Sequence, residues 1–106
     1  MDYTIIEVPD MNDSFSSIVI DGKQYRLRFT WNDTGGYWML GIYTSLGEPI
    51  VIGQKIVPNF PLNLFWSGDE IPSGTFAAVD ETEKLDNIGR NDFVDGKAEF
   101  VYIPAE

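Results

Sequence analysis

The sequence predicts an all-β fold, a small antiparallel barrel or sandwich built as one domain over residues 1–106. Three observations predict it. Short runs of β-branched and aromatic residues recur along the chain, each bounded by turn residues. Ten glycines and six prolines punctuate those runs, as an antiparallel domain with many turns requires. No stretch carries the 3.6-residue period of a long helix, and no internal repeat or linker divides the chain.

The elements follow in order. Tyr3–Val8, Phe15–Ile20, Lys23–Trp31, Tyr37–Thr44 and Pro49–Val57 read as strands. Leu62–Trp66 and Thr75–Val79 are weaker candidates, and Ala98–Ile103 closes the series as a strong one. Glu81–Leu85 has room for a single helical turn. Asp21-Gly22 joins two of the strands, and Asp95-Gly96 precedes the last. Asp-Gly favours the type I′ turn because both central residues need positive φ.

A two-residue turn at Asp21-Gly22 places Ile20 opposite Lys23, Ile18 opposite Tyr25 and Ser17 opposite Arg26. The next connection lies within TWNDTGGYW, residues Thr30 to Trp38. A four-residue loop over Asn32–Gly35 sets Phe29 opposite Trp38, Leu27 opposite Leu40 and Tyr25 opposite Ile42, so that one face is wholly apolar. A five-residue loop sets Arg28 opposite Leu40 and Arg26 opposite Ile42. A slip of one residue turns every side chain to the other face, so the four-residue loop is preferred. Cross-strand aromatic pairs, about 0.2–1 kcal/mol each, reinforce it. The tryptophans are then sheet and core residues first.

The opposite face carries Phe15, Ser17, Val19, Gln24, Arg26, Arg28, Tyr37, Met39 and Tyr43. An arginine over a tyrosine ring gains about 0.5–1 kcal/mol when exposed. Two readings stand: the second wall of a closed barrel covered by later strands, or a docking surface, where Arg, Tyr, Phe and Met are enriched. The candidate interaction residues are Phe15, Arg26, Arg28, Tyr37, Met39 and Tyr43.

Charge narrows the partners. The formal net charge is −10, which repels phosphate backbones and anionic membranes. Neither nucleic acid nor membrane is therefore expected as a partner. MDYTIIEVPD shows no basic start followed by an apolar run, so no signal peptide is expected. No run approaches the ~20 apolar residues of a membrane span, and a soluble protein is expected. The absence of cysteine excludes disulfides and thiolate metal sites.

Catalytic groups are scarce. Without histidine the commonest general base and metal ligand are missing. A nucleophile would have to be Ser, Thr or Lys activated by an unusual neighbour, and no GxSxG, P-loop or SxxK is present. Asp80–Gly96 concentrates Asp80, Glu81, Glu83, Asp86, Asp92 and Asp95. An EF-hand loop starting at Asp80 would need an oxygen ligand where Lys84 stands, and one starting at Asp86 meets Ile88 and Arg90. A solvated acidic loop is the simpler account, with an irregular calcium site left open. No catalytic residue, metal or cofactor is assigned. Trp31, Trp38 and Trp66 on a β-scaffold leave a carbohydrate-binding sandwich as the alternative function.

The run SIVIDGKQYRLRFTWNDTGGYWMLGIYTSLGEPIVIGQKIVP resembles the baseplate plug proteins of contractile-tailed phages, the cyanophage-type plug family. The likeness rests on the strand with Tyr25-Arg26-Leu27, the Trp31-Asn32 turn and the strand with Trp38, Leu40 and Ile42-Tyr43. It continues through Pro49-Ile50 and Gly53, the acidic loop with Leu85-Asp86-Asn87-Ile88-Gly89, and the closing Glu99-Phe100-Val101-Tyr102. It extends over roughly Tyr3 to Ile103. The resemblance implies a structural virion protein without enzyme activity, assembled in the host cytoplasm and placed near the hub and central spike of the tail baseplate. It further implies contacts with hub, spike or tail-tube proteins and several copies around the tail axis.

Overall fold

The computed structural model describes residues 3–20, 22–59, 74–82 and 87–104. They contain seven strands: β1 (Thr4–Ile6), β2 (Asp13–Ile20), β3 (Lys23–Asn32), β4 (Tyr37–Thr44), β5 (Pro49–Lys55), β6 (Thr75–Asp80) and β7 (Ala98–Ile103). All pair antiparallel, in a four-stranded sheet ordered β2-β3-β4-β5 and a three-stranded sheet ordered β1-β7-β6. Among the described residues the two sheets do not close on each other, so the architecture is a sandwich rather than a barrel. Leu62–Trp66 lies outside the described residues. Of Glu81–Leu85 only Glu81 and Thr82 are described, and they form a turn held by Asp80 Oδ1, which accepts from Thr82 N at 2.8 Å and Thr82 Oγ1 at 2.7 Å.

The β2–β3 hairpin has the expected register, with Ile20 opposite Lys23, Ile18 opposite Tyr25 and Ser17 opposite Arg26. Gly22 adopts φ +77°, the conformation for which a Cβ is unwelcome. The β3–β4 register differs by two residues from the expected one. Phe29 faces Leu40, Leu27 faces Ile42, and Trp31 faces Trp38. β3 runs one residue further, to an Asn32–Tyr37 pair, and the four-residue loop moves to Asp33–Gly36.

Asn32 is the reason for the shift. Its carbonyl accepts from Gly36 N at 2.7 Å, its side-chain oxygen accepts from Gly35 N at 2.9 Å, and its side-chain nitrogen donates to the Tyr37 hydroxyl at 3.1 Å. Gly36, at φ +73°, makes the reversal. Because the shift is two residues, the faces are unchanged and only the partners move. The two indoles meet edge to face, with centroids 5.5 Å apart.

The inner faces form the core. Tyr25, Leu27, Phe29, Trp38, Leu40 and Ile42 of the larger sheet pack against Ile6, Phe76, Ala78, Phe100 and Tyr102 of the smaller, with Val8, Ile20, Ile56 and Ala98 in the same cluster. Ile88 and Phe93 close one end. The Trp38 indole is fully buried there, donates Nε1–H to the Gly89 carbonyl at 3.2 Å, and meets the Phe93 ring edge to face. The Arg90 guanidinium lies 5.4 Å from the Trp38 ring centroid and is held by Asn12 Oδ1 at 2.6 Å and Asp10 Oδ1 at 3.0 Å. Asp95-Gly96 finishes a compact turn instead of a two-residue hairpin. Asp95 N donates to Asn91 O at 2.8 Å, and Asp92 O accepts from Lys97 N at 2.9 Å.

Two stability predictions follow from this packing. Trp38→Ala should cost about 3–5 kcal/mol, the range for removing a large buried aromatic. That is a large part of the roughly 5–15 kcal/mol that holds a domain folded. Urea unfolding followed by circular dichroism measures it, and an unchanged midpoint would contradict the core assignment. Ser14 points into the core opposite Phe29, and among the described residues its hydroxyl has no hydrogen-bond partner. Removing an unsatisfied buried hydroxyl relieves about 1 kcal/mol. Ser14→Ala should therefore raise the thermal midpoint by roughly 4–8 °C on the scale of domains this size.

Candidate functional site: the outer face of the four-stranded sheet

Strand alternation turns the even-numbered residues of β3 away from the core. Phe15 stands opposite Arg28, Ser17 opposite Arg26, Arg26 opposite Tyr43, Thr30 opposite Met39, and Asn32 opposite Tyr37. All six candidate residues, Phe15, Arg26, Arg28, Tyr37, Met39 and Tyr43, thus lie on one face. The described residues of the smaller sheet pack on the opposite face. Phe15 is 57% exposed and Arg26 is exposed, whereas Arg28, Tyr37, Met39 and Tyr43 are half-buried by one another and by β5.

The cation–aromatic contacts differ from the expected arginine over tyrosine. Arg28 lies 5.5 Å from the centroid of Phe15, whose ring meets Tyr43 edge to face at 5.6 Å. Tyr37 is covered instead by Lys55, its ammonium 4.8 Å from the ring centroid. Arg28 also grips Asp13 with both arms of the guanidinium, Nε to Oδ1 at 2.8 Å and Nη2 to Oδ2 at 2.6 Å. A fork-on-fork pair fixes the plane of the guanidinium as well as its position.

A groove of about 180 Å³ runs beside this pair, lined by Arg28, Thr30, Met39, Leu40, Gly41, Tyr43, Ile52 and Gly53. Gly41, opposite Arg28, leaves room for it. A Cβ there would stand 3.0 Å from the Tyr43 ring, so any larger residue would press on the tyrosine. Asp13, Ile52 and Lys55 belong to this surface and are missed by sequence reasoning. Continuing the period of two back from Phe15 would have found Asp13. Ile52 and Lys55 reach the face through irregular pairing between β4 and β5, where the register shifts on both sides of Ile42, and no periodicity signals that.

Two carboxylates of the acidic segment bond locally. Asp92 Oδ2 accepts from Gly89 N at 2.6 Å, and Asp80 caps Thr82. Among the described residues no three acidic side chains gather into a cation site, and no helix is long and apolar enough to cross a membrane. Trp38 has no exposed surface, so it cannot offer a flat face to a sugar. Trp31 is packed edge-on against it, and Trp66 lies outside the described residues. The aromatic platform of the carbohydrate reading therefore loses its central member.

The hydrogen bond from Arg28 holds the Asp13 carboxyl below its ordinary 3.8, with a smaller charge effect in the same direction and partial desolvation against it. The same bond, followed by the Tyr43 hydroxyl, raises the pKa of Arg28. A lowered carboxyl pKa contributes stability above the unfolded-state value, and this is lost as pH falls through the folded-state value. Both side chains are more than a third exposed, so solvent screening keeps the contribution within about 0–1 kcal/mol. Carboxyl-detected NMR should give Asp13 a midpoint below 3.8 in the native protein and an ordinary one in Arg28→Gln. Thermal stability of the two proteins at neutral pH should be nearly equal.

No curated protein matches the chain. The family described as "Cyanophage baseplate Pam3 plug gp18" matches residues 1–105. That span takes in both sheets and the outer face of the larger one. The chain belongs to this cyanophage baseplate plug family, whose members are structural virion components of the phage tail and not a known class of enzyme.

Proposed function

We propose that this protein, acting as one β domain, is a structural subunit at the hub of a contractile-tail baseplate, near the central spike. It seats the Arg28/Tyr43 face against a hub, spike or tail-tube protein, in several copies around the tail axis. Membership of the plug family carries the reading. The face supports it: Arg28, Tyr37 and Tyr43 are residue types that anchor interfaces, and they stand beside an exposed phenylalanine on the side that the core does not use. Pre-set side chains reduce the ordering cost of docking, and here Arg28 is held by Asp13 and Tyr37 by Asn32. The exposed Asp13 carboxylate is exchangeable, so a partner's carboxylate or carbonyl can take its place on the guanidinium. No cofactor, nucleic acid or membrane enters this function.

Arg28→Ala combined with Tyr37→Ala should leave the purified protein folded, with a melting temperature within a few degrees of wild type. The same double variant should be lost from assembled baseplates, because truncating interface hot spots costs about 2 kcal/mol or more each. Complementation of a phage deleted for this gene, followed by mass spectrometry of purified tails, measures incorporation. Normal incorporation would overturn the docking face. A monomer that melts much earlier would show that the pair serves the fold.

A further inference from the structure

Of the four sheet edges, β1 is blunted by its length of three residues, and the other three are treated unequally. An unpaired edge presents free N–H and C=O groups that another chain can join, and proteins usually blunt it with proline, lysine, bulges or a covering segment. On β5 stand Pro49, Lys55 and Gly53 at φ +70°, and its pairing is irregular. The β6 edge is covered, since Pro58 bridges to Ala78 and Asn59 N donates to Ala78 O at 2.7 Å. The β2 edge has none of these devices. It is paired without a break to β3 from Asp13 to Ile20, contains no proline or lysine, and among the described residues has no neighbour on its other side.

The phase of that free edge is fixed. Trp31 N donates to Asn12 O at 2.7 Å, so the even-numbered residues of β2 exchange hydrogen bonds with β3. The Ile20–Lys23 pair closing the hairpin agrees. In an antiparallel pair the intervening residues turn their N–H and C=O outward, which here are those of Asp13, Phe15, Ser17 and Val19. Beyond them lies a groove of about 270 Å³ between β2 and the three-residue strand β1, lined by Thr4, Ile5, Ile6, Glu7, Ser16, Ser17 and Ile18. Phe15 at 57% and Val19 at 67% exposure flank it on the outer side.

We infer that this edge receives an extended strand from a neighbouring baseplate protein, a segment alternating apolar residues with lysine or arginine, which pairs with β2 and lies in the groove toward β1. The baseplate setting rests on the proposed function; the strand addition rests on the edge alone. Charge selects the occupant. Glu7 is the only ionisable residue lining the groove, and it takes part in neither of the two ion pairs among the described residues. Glu99 shares an adjoining hollow of about 320 Å³ with Glu7, Ile5, Phe93 and Val94. A second copy of this chain would bring another net charge of −10 to the same place, which opposes self-pairing.

The test uses a ten-residue synthetic peptide alternating valine with lysine and threonine, titrated into the isotope-labelled full chain. The amides of Phe15, Ser17 and Val19 should become protected from hydrogen exchange at least tenfold, while those of Ser14 and Ser16 change little. Ser17→Pro, tolerated because that N–H faces away from the sheet, should abolish the protection. N-methylation of every second peptide amide should do the same without altering the protein. Glu7→Gln, or glutamate in place of the peptide lysines, should weaken binding several-fold or more. No binding, binding that leaves the three amides unprotected, or equal binding by Ser17→Pro and by the N-methylated peptide would overturn the inference. So would a wild-type dimer at low micromolar concentration that Ser17→Pro dissociates. If the peptide fails while Arg28→Ala with Tyr37→Ala still blocks incorporation, the edge inference falls and the proposed function stands.

Discussion

The alternation of β3 is the constraint on which the other features rest. Tyr25, Leu27 and Phe29 face inward, while Arg26, Arg28 and Thr30 face outward. Both neighbours of β3 must match this parity, because an odd slip would bury two arginines against Phe76 and Phe100 or expose three large apolar side chains. Burial of an unpaired guanidinium is far costlier than any turn preference. The core and the outer surface are therefore two consequences of one register.

Trp38 then ties the larger sheet to the rest of the molecule. Its ring contacts Trp31 on β3, Phe93 in the turn before β7, and the Arg90 guanidinium. Its N–H, which would be costly to bury unpaired, finds the Gly89 carbonyl. Arg90 in turn reaches Asn12 and Asp10, at the approach to β2. At the apolar end of the acidic segment, a few side chains hold the turn before β7.

The surface is mostly acidic, yet the outer face gathers Arg26, Arg28 and Lys55 among aromatic rings. In the proposed docking, such a basic and aromatic stripe on an anionic body would suit an acidic neighbour, and the β2 edge with Glu7 a basic one. Two differently charged surfaces on one small sandwich fit the proposed seat between unlike neighbours. The proposed function rests on complementary faces and unblocked backbone.

The sequence by itself determined the strand content, the two-residue hairpin at Gly22, the inward and outward sets of β2, β3 and β4, and the kinship with the plug family. These are local or period-two properties, written in residue type and turn chemistry. Tertiary structure decided what they could not: sandwich over barrel, Trp31 opposite Trp38, Asp13 on Arg28, Lys55 over Tyr37, and the groove between β1 and β2. Each of these depends on elements distant in the chain or on bulges and side-chain hydrogen bonds that leave no periodic trace. The two-residue error in the β3–β4 register has the same origin. Parity follows from hydrophobic pattern, but the choice among registers of equal parity was made by Asn32, whose three hydrogen bonds around the loop exist only once the strands have met.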